Sequence, residues 1–188
     1  MIRSVKPDRR VERTRQAILG AFRDLLLTRG YDPLSVRDVV ETAGVGRSTF
    51  YEHFDDKDDL FRESLRPLLS VLADAVGAGR AQQGLVMLLT HFAQNRRLAR
   101  TTMAGSARLL MSRFLAELIE DRLTAHVTRA TPPLVPLPLI AGHLAEAQLG
   151  LVAAWLTEKT TCSAEAVAHA LLVSTRASAG ALFARKTA

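Results

Sequence analysis

A chain of 188 residues, 48% apolar and 23% charged, has material for one or two folded domains and is neither disordered nor fibrous in composition. Its one cysteine, Cys162, excludes an intrachain disulfide and any cysteine-built zinc or iron–sulfur site. A net charge of +6 permits a nucleic-acid partner without requiring one.

Leucine (29) and alanine (28) far outnumber valine (14) and isoleucine (4), so an all-α protein of about nine helices is expected. Arg3, Lys6, Arg9 and Arg10 are followed by no apolar segment of the kind a secretory signal needs. No run of about 18 uncharged apolar residues exists either. The expectation is a cytoplasmic protein with no membrane contact. Residues 1–15 hold six basic and two acidic side chains, a local charge of +4 just before the first periodic segment.

That first segment predicts a helix over 9–29, with Val11, Ile18, Leu19, Phe22, Leu25 and Leu26 forming one buried stripe. Gly30 suits the position after its end, and Pro33 keeps the next residues in a loop. Ser35 caps a second, short helix, with Asp38 in the reciprocal place of a capping box. Val36, Val39, Val40 and Ala43 supply its inward face, and Gly44 closes it. A third helix over 47–53 starts from Gly46, a weak cap, and turns Phe50 and Phe54 inward. Two short helices joined tightly at Gly44 describe a helix-turn-helix. A fourth helix begins near Asp56, where Asp56 and Asp59 form an acidic capping pair. Pro67 within it predicts a kink or local break.

Further helices are expected over 81–95, 98–104, 106–129, 139–159 and 164–184, the last capped by Ser163. Thr131 to Pro138, with four prolines, is expected to be a stiff extended connection. The division falls between a DNA-binding module, 1–55, and a larger helical domain, 56–188.

The helix-turn-helix carries the clearest chemistry. Arg47 can donate two hydrogen bonds to a guanine edge, and Ser48 and Thr49 can reach bases or phosphate. Tyr51 and His53 supply longer reach. Lys57, at the next helix start, suits a phosphate, as do Arg13, Thr14 and Arg15 on the first helix and Ser35 and Arg37 at the second.

The segments Ile18 with Phe22, Gly30-Tyr31, Ser35-Val36-Arg37-Asp38-Val39, Ala43-Gly44-Val45, Ser48-Thr49-Phe50-Tyr51-Glu52-His53-Phe54 and Lys57-Asp58-Asp59-Leu60 occur in that order. Over residues 9–61 the chain resembles the DNA-binding domain of the TetR/AcrR family of bacterial transcriptional regulators. The resemblance implies that Thr49, Tyr51 and Lys57 contact the DNA backbone and that Arg47 and Ser48 set sequence preference. Gly46 departs from the serine often found there.

The same resemblance implies a homodimer on a palindromic double-stranded operator, with the last two helices pairing against their copies. Leu144, Leu151, Ala153, Trp155, Ala170, Leu171, Ala177 and Ala181 are the expected dimer residues, and an intrachain hairpin is the alternative. It also implies a small-molecule effector of apolar or amphipathic character that releases a repressor. Met87, Phe92, Met103, Met111, Phe114 and Trp155 are its soft or aromatic candidates, with His91 and Arg108 for a polar end. Pro67 would help transmit the motion.

No catalytic, metal-binding or cofactor-binding arrangement is present. His53, His91, His126, His143 and His169 never fall at helical ligand spacing, and no phosphate-binding glycine loop or nucleophile elbow occurs. A ligand-independent DNA-binding regulator with a filled C-terminal core, or a helical protein-interaction adaptor, remains the alternative.

Overall fold

The computed structural model describes residues 9–77, 79, 81–103, 105–125, 127, 131–157 and 162–183. Arg3, Lys6, His126 and the expected helix ends at Ala104, Arg129, Lys159 and Ala184 lie outside the described residues. Those residues form α1 (Arg9–Arg29), α2 (Val36–Ala43), α3 (Arg47–Tyr51), α4 (Lys57–Ala73), a 3-10 turn (Asp74–Val76), α5 (Ala81–Gln94), α6 (Arg96–Thr102), α7 (Gly105–Thr124), α8 (Leu137–Thr157) and α9 (Ala164–Ala181). The all-α expectation holds. The chain divides into two units, Met1–Ser64 and Leu65–Ala188, so α4 runs across the division.

In the first unit α1 packs on α2 and α2 on α3. Ile18, Phe22, Val39, Phe50, Phe54, Leu60 and Phe61 make its core. The stripe on α1 is as expected except at Val11, which is exposed because it lies one turn beyond the reach of that core. Gly30 (φ 76°) and Gly44 (φ 66°) both adopt the left-handed conformation that side chains resist, and they end α1 and α2.

In the second unit α7 packs on α8, α5 on α9, and α8 on α9. Its core includes Leu72, Leu85, Leu89, Leu115, Ile119, Ala141, Leu149 and Leu171. By length and hydropathy α8 would suit a membrane span, but Ile140, Leu144, Gln148, Val152 and Trp155 bury one side of it as a core helix.

Two proline expectations need correction. Pro67 does not interrupt α4. Pro138 lies in the first turn of α8, where a backbone N–H has no helical partner to lose. Before it the expected extended connection bends at Leu134 and Val135, where Leu134 N donates to Leu182 O at 2.9 Å and Pro133 bridges Phe183.

Candidate nucleic-acid interface

The approach of a short helix to DNA depends on where its two faces point. Phe50 is fully buried and Phe54 nearly so, which fixes the inward side of α3. Arg47, Ser48 and Tyr51 are therefore left exposed on the outer side, and Thr49 and His53 are half-buried. The helix is shorter than expected, ending at Tyr51, with His53 in the following turn. Arg47 Nη2 donates to Tyr51 Oη at 3.4 Å and the guanidinium lies 5.7 Å from the ring centre. These two exposed side chains thus stand side by side, one turn apart. Gly46 caps α3 with no side-chain bond, and a Cβ there would meet only the Ser48 and Thr49 hydroxyls at ordinary contact distance.

The approach to α3 is set by α2. Its capping box is complete: Asp38 N donates to Ser35 Oγ at 3.3 Å and Ser35 N donates to Asp38 Oδ2 at 2.9 Å. The Ser35 hydroxyl also donates to Asp38, and Arg29 Nη1 to the other carboxylate oxygen at 2.9 Å. These bonds, Ser35 first and Arg29 after, hold the Asp38 carboxyl below its ordinary range. Ser35 is thereby committed to the cap. Arg37 is exposed and pairs with Glu41 at 2.7 Å.

Among the basic residues on α1 the structure draws a distinction. Arg15 turns toward the protein, 2.6 Å from Glu63 and 5.1 Å from the centre of the Phe54 ring, which ties α1 to α4 behind α3. Arg13 is exposed and Thr14 half-buried. Together with Arg9, Arg10, Ala17 and Val45 they line an open groove of about 630 Å³. Arg9, Arg10 and Val45 were absent from the expected set. Their signal was the spacing of Arg9, Arg10, Arg13 and Ala17, which shares one helical face, together with the turn that Gly44 places beside it.

Lys57 is only half-exposed. Its Nζ donates to the carbonyls of Leu34 (2.9 Å) and Tyr31 (3.2 Å), so at most one of its three donor hydrogens is left for a phosphate.

The candidate effector residues of the second unit do not converge. Met87 is 68% exposed and His91 is also exposed, because both lie on the outer side of α5, opposite Leu85, Leu88, Leu89 and Phe92. Phe92, Met111, Phe114 and Trp155 are core residues, and Met103 is half-buried. The Trp155 indole donates to Cys162 O at 3.0 Å. Arg108 pairs with Glu146 at 2.7 Å, and the Ser112 hydroxyl donates to the same carboxylate. Those bonds hold Glu146 below its ordinary range. An open cavity of about 480 Å³ is lined by Asp74, Gly77, Gly79, Ala81, Asp121, Arg122 and Ala125, and contains none of the expected residues.

The expected dimer residues separate by burial. Leu144, Trp155 and Leu171 are buried within the protomer. Leu151 and Ala153 are half-exposed, while Ala170, Ala177 and Ala181 are exposed.

Residues 18–64 match the family model of bacterial regulatory proteins, tetR family. Over these residues, a quarter of its length, the chain is similar to the tetR family. Members of this family are transcriptional regulators with a helix-turn-helix, not enzymes. Among curated relatives, it is 31% identical over 86 residues to the dhaKLM operon transcriptional activator DhaS of Lactococcus lactis, covering 44% of either chain. It is 35% identical over 75 residues to the transcriptional repressor AcnR of Corynebacterium diphtheriae, covering 40% of this chain and 37% of AcnR. The chain thus spans less than half the length of these relatives. Across nearly the whole chain the fold is that of a TetR-family regulator from Streptomyces coelicolor, with a TM-score of 0.65 at 23% identity, covering 94% of this chain and 99% of that one.

Proposed function

We propose that the protein is a cytoplasmic, homodimeric transcriptional repressor that binds a palindromic operator in double-stranded DNA through residues 36–53. The observation that carries this reading is the two-sided α3: Phe50 anchors it, and Arg47, Ser48 and Tyr51 stand free of the core on its outer side. Arg47 and Ser48 read base edges, Thr49, Tyr51 and His53 support them, and Arg13, Thr14 and Arg37 hold phosphates. Repression requires only that an occupied site exclude polymerase.

Dimerisation is supported by the outer sides of the last two helices. Ala147, Gly150 and Ala154 on α8 and Ala166, Ala170, Val173 and Ala177 on α9 are exposed, apolar and mostly small. A symmetric pairing of these faces buries them, and a two-fold site calls for two recognition helices.

Effector release is supported by unmet polar capacity in the second unit. Arg108 Nη1 and Gln148 Oε1 are buried without a partner among the described residues. An amphipathic ligand with a polar end would satisfy such groups. The filled packing of Phe92, Met111, Phe114 and Trp155 favours the second reading, a regulator that needs no effector.

The Tyr51→Ala variant tests the DNA assignment. It is expected to lose retardation of a wild-type-selected duplex while keeping helicity and dimer mass. Equal binding by variant and wild type would remove Tyr51 from the interface.

A further inference from the structure

The loop between α1 and α2 is fastened to the first turn of α4 from two sides. On one side, Lys57 Nζ bonds the carbonyls of Tyr31 and Leu34 and sits 4.1 Å from the centre of the Tyr31 ring, where the π face attracts its charge. On the other, the Tyr31 hydroxyl donates to Asp58. Tyr31 itself is 5% exposed, with its ring 4.6 Å from that of Phe61, so the fastening reaches the core of the unit. The fastened loop ends in Ser35, whose capping box starts α2, and α2 passes directly through Gly44 to α3.

We propose that Lys57 acts as a positioning residue that clasps the 31–34 loop to α4 and so sets the angle of α2 and α3, instead of serving as a phosphate ligand. The inference rests on the DNA-binding reading. The two roles differ physically. A phosphate ligand releases a counterion, and each such contact contributes about 0.9 to the slope of log affinity against log salt. A clasp contributes nothing to that slope. Opening it lowers the fraction of molecules with α3 correctly set, and apparent affinity falls by that fraction.

The test uses the full chain, a fluorescent duplex recovered from genomic DNA by the wild-type protein, and amide hydrogen exchange. Lys57→Met is expected to weaken binding about three- to tenfold, with the salt slope unchanged and exchange across residues 31–35 accelerated. Tyr31→Phe removes only the bond to Asp58 and is expected to give the same pattern with smaller size; it serves if Lys57→Met does not fold. A slope reduced by about 0.9 with exchange unchanged overturns the proposal in favour of a phosphate contact. So does unchanged exchange in both variants. A wild-type protein that recovers no duplex defeats the DNA-binding reading itself, while the exchange data still report separately whether the clasp exists.

Discussion

The two units of this chain are built by different kinds of sequence information. In the first, element ends are written in residues whose chemistry allows one outcome: Gly30 and Gly44 in the left-handed region, Ser35 and Asp38 bonding each other's backbone, Asp59 N donating to Asp56 Oδ1 at 2.7 Å before α4. In the second, helices are apolar on more than one side. On α8 the buried Ile140, Leu144 and Val152 alternate with exposed Leu139, Ala147, Gly150 and Ala154. Periodicity there distinguishes helix from strand but leaves open whether an apolar residue faces the core, a partner or a ligand. A module that must present a fixed surface to DNA needs precise ends; a bundle needs chiefly volume.

Substitutions that break this contrast differ in size. Phe50→Ala removes the fully buried anchor of α3 and is expected to destabilise the first unit by about 3–5 kcal/mol. Chemical denaturation followed by exchange in α1–α3 measures it. Met87→Ala, on the exposed side of α5, should leave stability within about 0.5 kcal/mol of wild type. A large loss there would mean that α5 is covered by something else. Arg47→Ala should leave stability unchanged and relax preference at one base pair of each half-site by about 1–3 kcal/mol, read from binding to a set of duplexes changed one position at a time.

The legibility of the site follows the same division. Phe50 and Phe54 at i,i+4 fixed the inward side of α3, and the exposure of Arg47, Ser48 and Tyr51 follows from it. Arg15 could not be read from spacing, because its partners Glu63 and Phe54 come from elements far along the chain. Lys57 turned to loop carbonyls for the same reason. In the second unit the softness of Met and aromatic residues does not mark a pocket lining, because core and surface share that property: Met111 and Phe114 are buried and Met87 is exposed. Trp155 and Leu171, offered for dimerisation, illustrate the point: bulk in a bundle goes first to the protomer's own core.

Placing a charge on the outer side of α9 sharpens the contrast from the other end. Ala177→Glu puts a carboxylate on the exposed small-residue face without touching the core. Light scattering is expected to show the protomer mass in place of twice that mass, with unfolding otherwise retained. A dimer unaffected by the change would locate the interface elsewhere.

The smallest effect concerns the cap of α2. The Asp38 carboxyl is depressed from its ordinary 3.8 by bonds made only in the folded state. The folded form therefore binds fewer protons than the unfolded one around that value. Its stabilisation is fully present above the ordinary carboxylate range and is lost as pH falls through the depressed value. Melting curves from neutral to strongly acidic pH should show Ser35→Ala losing its deficit relative to wild type at the acid end. A deficit that persists there would separate the cap from Asp38 ionisation.

The most direct test is selection of genomic fragments by the purified protein at near-physiological salt, followed by sequencing, with Arg47→Ala in parallel. The expected result is enrichment of one or a few palindromic sites by the wild type and a relaxed base at matching places in both half-sites for the variant. Weak, uniform retention that is identical for both proteins would contradict the account and favour the helical adaptor.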